Sequence, residues 1–389
     1  MTVQLSFAQG WTELTSGTNQ YFYSVQFPSE NIGFASSWSG LFKTTDAGSN
    51  WQLLSGNIGV PCYFTNTQTG YAINANGVQK TTDGGSNWTQ GFVPTQVYRD
   101  MYFMNDNVGF ATGSSDLTSE LYFMKTTDGG SNWTESIIPN TFAFEPTFFF
   151  TSETTGFVGT TALILKTTDG GNNWVADTIG TSQFDALDVW DIHFPTADIG
   201  YACGMGAVSQ IYKTTDAGET WIALNTDAFN TNPYSSIFFI SADTGFATTG
   251  SQGWTTSAIL KTVNGGASWS MTLNNCAYIE SLYFPTSNTG YAAGENGAIY
   301  KYSTTIGIED ISDSKGISIY PNPATNTVTI ENQTASGTYQ LQDITGKVLL
   351  SGSVTATKFS LDISALSKGI YLLSLIDGEQ QVNRKIVKE

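Results

Sequence analysis

Nine residues, Lys-Thr-Thr-Asp-Gly-Gly-Ser-Asn-Trp, occur word for word at Lys80–Trp88 and again at Lys125–Trp133. Near copies begin at Lys43, Lys166, Lys213 and Lys261. A fixed internal period constrains a chain more than composition does, because each unit must bury its apolar face against copies of itself. Two further signatures share the period. Glycine, an aromatic and a small residue recur seven times, from Gly33-Phe34-Ala35 to Gly290-Tyr291-Ala292. Apolar segments end at Phe27, Phe64, Phe103, Phe150, Phe194, Ile240 and Phe284, and the repeat lysine stands at positions 43, 80, 125, 166, 213, 261 and 301. Each unit reads as four short strands, the content of one propeller blade.

The motif tryptophan follows only six of the seven lysines. Lys301 leads into Tyr-Ser-Thr-Thr, whereas Trp11-Thr12-Glu13-Leu14 matches Trp51-Gln52-Leu53-Leu54 with no motif before it. The N-terminal strand is therefore predicted to complete the last blade. Closing the ring in this way leaves no open sheet edge. The expected fold is all-β: a seven-bladed β-propeller over residues 1–302, closed by the N-terminal strand.

The motif itself reads as a turn between the third and fourth strands of a blade. Asp can bond the backbone two residues on, and Gly supplies positive φ. The following Trp anchors the turn against the blade. The pairs are Asp46 with Trp51, Asp83 with Trp88, Asp128 with Trp133, Asp169 with Trp174, Asp216 with Trp221, and Asn264 with Trp269. A structural role fits better than a calcium or catalytic one. Calcium loops need alternating oxygen ligands, and Asn264 replaces Asp in the sixth copy. Thr44-x-Asp46-x-Gly48-x-x-Trp51 and its partners resemble Asp-box (BNR) repeats. Those occur in sialidases, xyloglucan-cleaving glycosidases, sortilin-type receptors and the photosystem II assembly factor, whose blades this wording resembles most. The resemblance implies that the box lies away from any active centre.

After Lys301 the pattern stops. Residues 303–315 read as a polar, acidic linker, and residues 316–389 as a small β-sandwich of short alternating strands. Tyr320-Pro321-Asn322-Pro323, Gly346-Lys347, Lys368-Gly369-Ile370-Tyr371-Leu372 and the ending Lys385-Ile386-Val387-Lys388-Glu389 resemble the C-terminal sorting domain of Bacteroidetes type IX secretion substrates. This implies partnership with the type IX machinery through residues 316–389, and a secreted or outer-membrane-surface, extracellular location. It also implies removal of the tail after export. The opening residues are too short for a signal peptide, yet Ser-Phe-Ala-Gln resembles the end of one cleaved after Ala8.

The formal net charge is -18 and the chain has two arginines, Arg99 and Arg384. A nucleic-acid partner is excluded on that balance, since nothing would neutralise a phosphate backbone. No run of 18 apolar residues exists, so no membrane span is expected. The three cysteines, Cys62, Cys203 and Cys276, fall in different repeats and read as buried free thiols. The one histidine, His193, stands where other blades carry an aromatic, and reads as its substitute. No metal and no cofactor are expected.

Loop lengths separate the two ends of the propeller. The first-to-second and third-to-fourth strand connections are uniform, and the opposite end varies. Trp38, Trp190 and Trp254, the tryptophans outside the repeat, fall on the variable end. So do Tyr23, Arg99, Asp100, Asp191 and Glu280 at the starts of the first strands. Loops vary where function is carried, and aromatics with a few polar groups suit a glycan or protein ligand. The primary expectation is a secreted or surface propeller acting as a ligand-binding or adhesion module. The alternatives are an assembly scaffold like the photosystem factor, or a divergent glycoside hydrolase using Asp100, Asp191 and Glu280. No catalytic residue is assigned. Sialidase chemistry needs an arginine cluster for a carboxylate, which is absent from the sequence.

Overall fold

The computed structural model describes residues 10–304 and 317–389, apart from 56–57, 59, 75, 97, 115–119, 139–145, 162, 179–187, 207–209, 225, 227–232, 251–256, 333–335, 344–346 and 378–379. It divides into two compact units. Within Gly10–Thr304 lie seven antiparallel four-stranded sheets. The first blade runs outward as Phe22–Gln26, Gly33–Ser37, Gly40–Thr44 and Gln52–Ser55. The seventh joins Ile279–Thr286, Thr289–Gly294 and Ile299–Ser303 to Gly10–Leu14 from the start of the chain. Trp11 pairs with Tyr302 and Leu14 with Ile299, so the N-terminal strand does close the ring.

The glycines and aromatics of the repeat are explained by one packing unit. The phenylalanine that ends each first strand lies flat on the second-strand glycine of its own blade. A Cβ at Gly33 would come within 2.4 Å of Phe27, and one at Gly109 within 2.4 Å of Phe103. The other ring face stacks on the second-strand aromatic of the preceding blade. Phe27 meets Tyr291 at 3.4 Å, Phe103 meets Tyr71 at 3.8 Å, and Phe239 meets Tyr201 at 3.4 Å. The motif tryptophan then closes the edge, as Trp51 does on Phe27 at 89° and Trp133 on Phe103 at 90°. Offset and edge-on contacts are the favoured aromatic geometries. Blade 6 corrects the sequence reading by one residue. Its packing phenylalanine is Phe239, which faces Gly245, and Ile240 lies beyond the strand Tyr234–Phe239. The uniform end is therefore uniform in all seven blades.

The repeat lysine ties neighbouring blades. Lys43 lies 5.3 Å from the ring centre of Phe34 in its own blade and donates to the Gly84 carbonyl of the next box, at 3.0 Å. Lys80 and Lys213 do the same to Gly129 and Gly265, at 2.8 and 2.9 Å. Lys301 carries the pattern across the closure to Ala47 at 3.3 Å.

Each box is a turn closed by the hydrogen bonds of its first and third residues. Thr44 Oγ1 donates to Asp46 at 2.8 Å, and the amides of Asn50 donate to the same carboxylate, from the backbone at 2.9 Å and from the side chain at 2.7 Å. In the sixth copy Asn264 donates to Ser268 Oγ at 2.9 Å, so the Asp-to-Asn change is matched by its partner. Asparagine hydrogen bonds hold the carboxyls of Asp83 and Asp128 down to about 2, and Thr220 does so for Asp216. A depressed folded pKa contributes stability above about 4 that is lost as pH falls toward about 2.

The second unit is a sandwich. Ser318–Tyr320, Thr327–Glu331 and Lys358–Asp362 form one sheet. Val348–Ser353, Thr338–Gln342, Gly369–Asp377 and Gln380–Lys388 form the other. Val328, Ile330, Leu341, Leu361, Leu373 and Ile386 are buried in one shared core. The Tyr-Pro-Asn-Pro turn clasps the last strand. Asn322 donates to the Lys385 carbonyl at 2.7 Å and accepts from the Val387 amide at 2.8 Å. Tyr320 donates to Glu331 at 2.6 Å, while Gly369 opens the strand that pairs with Lys388.

Candidate ligand-binding site

The first strands follow one another around the axis, each against the next, with the seventh against the first. The residue before each packing phenylalanine is half-buried on this inner wall: Gln26, Tyr63, Tyr102, Phe149, His193, Phe238 and Tyr283. Neighbouring rings touch, from Tyr63 and Tyr102 at 5.5 Å to His193 and Phe238 at 4.3 Å. His193 thus takes an aromatic's place, and its Nδ1 accepts the Phe239 amide at 3.3 Å. Burial pushes its pKa down to about 3, so the ring is neutral at physiological pH. Gln26 makes the equivalent bond to the Phe64 amide, at 2.9 Å. These bonds satisfy donors on the edge strand that faces the axis, which has no further strand to pair with.

Four residues before the packing phenylalanine, the inner strand breaks its register. Pairing skips Tyr23 in blade 1, Trp190 in blade 5, Ser235 in blade 6 and Glu280 in blade 7. A β-bulge bends its strand and re-aims the extra side chain, and bulges concentrate next to functional sites. Arg99 holds the same position in blade 3, half-buried, with its amide bonded to the Thr112 carbonyl at 2.8 Å. Tyr23, Arg99, Trp190 and Glu280 thus occupy one level at the variable mouth.

The blade 7 and blade 1 bulges bring three of the sequence-selected residues together. The Trp38 ring is T-shaped against Tyr23 at 5.6 Å, and its Nε1 donates to the Tyr23 hydroxyl. Tyr23 packs on Tyr21 at 4.6 Å, and Tyr21 donates to Glu280 Oε2 at 2.6 Å. Tyr278 adds a further wall, 6.4 Å from Tyr21. Tyr21 and Tyr278 were missed by the sequence reading. The available signal was position: both stand six residues before the packing phenylalanine, two before a bulge residue. In blade 5 the same offset holds Asp188, which accepts from Trp190 Nε1 at 3.2 Å and from Thr161 at 2.9 Å. Trp254 lies outside the described residues.

Asp100 and Asp191 sit one residue deeper. Asp191 accepts from Ser236 Oγ and from the Ile237 amide, both at 2.8 Å. Loss of water nevertheless raises its pKa to about 7, with the charge of Asp100 adding to the shift. Burial raises Asp100 to about 6. Folding therefore favours the protonated forms, and stability falls as pH rises from about 4 to about 7. Asp191→Asn retains the two acceptor bonds without the charge. At pH 8 it should be more stable than the parent by roughly 2 kcal/mol, allowing for water in the channel, and as stable at pH 4. Thermal melts across that range test it; a parallel loss in both proteins would remove Asp191 as the cause. Among the described residues no three His, Cys, Asp or Glu side chains are grouped to hold a metal ion. Cys62, Cys203 and Cys276 are buried and free.

Residues 318–389 match the family model of the secretion system C-terminal sorting domain. Residues 86–232 match that of the photosynthesis system II assembly factor YCF48. The solved structure of YCF48 bound to D1 peptide is similar, at 15% identity over 76% of this chain and 97% of that one, with a TM-score of 0.60. PorZ, a surface component of the type-IX secretion system of Porphyromonas gingivalis, is similar at 14% identity over 96% of this chain and 60% of that one, with a TM-score of 0.55. Identities this low speak for the fold. A funoran endo-beta-hydrolase of Wenyingzhuangia aestuarii is 27% identical over 120 residues, 29% of this chain. The chain spans only 16% of that relative's length. No helix among the described residues is long and apolar enough to cross a membrane.

Proposed function

From an Asp-box propeller that carries a secretion sorting tail, we propose a ligand-binding or adhesion module that works outside the cell. The tail engages the type IX machinery, and the propeller meets an extracellular glycan or protein at its variable mouth. The observation that supports this reading is the alignment of four inner-strand bulges at one level, three of which lift Tyr23, Trp190 and Glu280 out of the ladder, while at the fourth the buried Ser235 bonds Thr248 and the Ile279 carbonyl. A structural turn gains nothing from a bulge at that level, whereas a binding surface gains re-aimed side chains. The uniform end, by contrast, is filled by hydrogen-bonded boxes and lysine ties.

A glycan array and a pull-down from envelope extract, each with the full chain, identify the ligand. The triple variant Trp38→Ala, Trp190→Ala, Trp254→Ala should then bind at least tenfold more weakly while melting within a few degrees of the parent. Undiminished affinity in the folded variant would move the site off this face. The match of residues 86–232 to an assembly-factor model favours a second reading, a protein-assembly scaffold. Capture of a stable protein complex with no glycan bound would favour it. Release of reducing ends from a bound polysaccharide, abolished by Asp100→Asn or Glu280→Gln, would instead support a hydrolase.

A further inference from the structure

We propose that the seam between blades 7 and 1 is a subsite for a cationic side chain, a lysine or arginine presented by a protein ligand. This inference rests on the variable mouth being the binding face, and it specifies what one part of that face recognises. Four rings and one carboxylate meet there: Tyr21, Tyr23, Trp38, Tyr278 and Glu280. The rings do not lie in one plane. Tyr23 and Trp38 stand at 85° to each other, Tyr21 and Tyr23 at 42°, and Tyr21 and Tyr278 at 45°. A sugar ring stacks best on a flat aromatic platform, which rings packed on one another at these angles do not offer. Ring faces attract ammonium and guanidinium groups, Trp most strongly. Trp38 is 69% exposed, so its ring is open to an incoming group.

The carboxylate sets the sign of the ligand. Tyr21 donates its hydroxyl to Glu280 Oε2 at 2.6 Å. Burial and the Glu280 charge push the Tyr21 hydroxyl far above its usual range, so it remains a donor and cannot become a competing anion. A carboxylate beside these rings is complementary to N–H donors carrying positive charge. Two separate bulges place this set: one re-aims Tyr23 on the first inner strand, the other Glu280 on the last. The set therefore exists only once the ring has closed. The net charge of -18 also draws basic segments toward the protein, which raises the encounter rate with such a ligand.

The test uses the full chain and three peptides: hexalysine, hexaarginine and hexaglutamine, titrated by calorimetry at physiological salt. At least one cationic peptide should bind, and hexaglutamine should not. Glu280→Gln and Trp38→Ala should each weaken binding about tenfold or more, while Trp38→Tyr, which keeps a ring, loses much less. Glu219→Gln removes the same charge at the uniform end and should leave affinity unchanged. Equal losses from Glu280→Gln and Glu219→Gln would reduce the effect to bulk charge and overturn the proposal, as would no binding of either cationic peptide. The two readings fail separately. If a ligand found on the mouth needs Trp38, Trp190 and Trp254 but no cationic peptide binds, the subsite falls and the binding face stands. If hexalysine binding depends on Glu280 while the natural ligand survives the triple tryptophan change, the subsite stands and the binding face falls.

Discussion

Removing residues 1–16 should lower the melting temperature by roughly 10 °C or more and leave a protein that self-associates. Trp11 packs edge-on against Phe246 and Phe284 at 5.9 and 6.0 Å, and against Tyr302 at 5.3 Å. Its Nε1 donates to Thr272 Oγ1 at 3.2 Å. Trp11→Ala alone should cost about 2–3 kcal/mol, below the usual range for a fully buried ring because Trp11 is half-buried at the edge of its core. Each kcal/mol corresponds to about 2–4 °C in a domain approaching this size. Truncation adds the loss of every pairing between Gly10–Leu14 and Ile299–Ser303 and bares that strand's edge. Calorimetric melts with sedimentation of the truncated protein are the check. A synthetic peptide covering Gly10–Leu14 should restore part of the loss. A truncated chain melting with the parent would show that the seventh blade does not need its fourth strand.

Gly109→Ala should be the most damaging single-methyl addition in the third blade. The new Cβ would lie 2.4 Å from the Phe103 ring. That ring has nowhere to go, being stacked on Tyr71 at 3.8 Å and closed at its edge by Trp133 at 5.8 Å. Overpacking of this kind costs about 1–3 kcal/mol or more. Phe103→Leu is a test of cause, because the narrower side chain leaves room for the methyl. The double variant should be destabilised by less than the sum of the two single changes, by about 0.5 kcal/mol or more. Urea unfolding of the four proteins measures this; strict additivity would mean that the glycine is needed for some other reason.

The parts of the fold that repeat were legible because repetition multiplies a weak local signal. One Gly-aromatic-Ala says little, but seven at a constant step fix strand, register and blade count together. The orphan Trp11 was legible for the same reason, since a missing seventh copy is visible only against six present ones. Legibility failed where backbone pairing, not residue type, decides. Ile240 is as apolar as a packing phenylalanine, and only contact with Gly245 identifies Phe239 instead. The bulges at Tyr23, Trp190, Ser235 and Glu280 carry no residue signature, so Tyr23, Trp190 and Glu280 could be nominated but not shown to share a level, and Ser235 was not nominated at all. The seven lysines were counted without a role, because their acceptors lie in the next blade: backbone carbonyls for five of them, Glu219 for Lys166 and the Tyr302 hydroxyl for Lys261.

The closing strand also sets an order of events. Trp11 and Thr272, which it bonds, are 261 positions apart in the chain. Within the propeller, the strand Gly10–Leu14 is therefore the last to find its place, and a contact of such separation forms slowly. Until Ile299–Ser303 is available, six blades can assemble in series while both ends of the arc present unpaired strands. The residues matched to the sorting domain, 318–389, follow that last blade in the chain, so the open arc is the form that exists before they are made. Ring closure thus becomes possible before the sorting domain is complete. The seam that closes the ring also brings Tyr21 against Glu280, so that hydrogen bond is present only in the closed propeller.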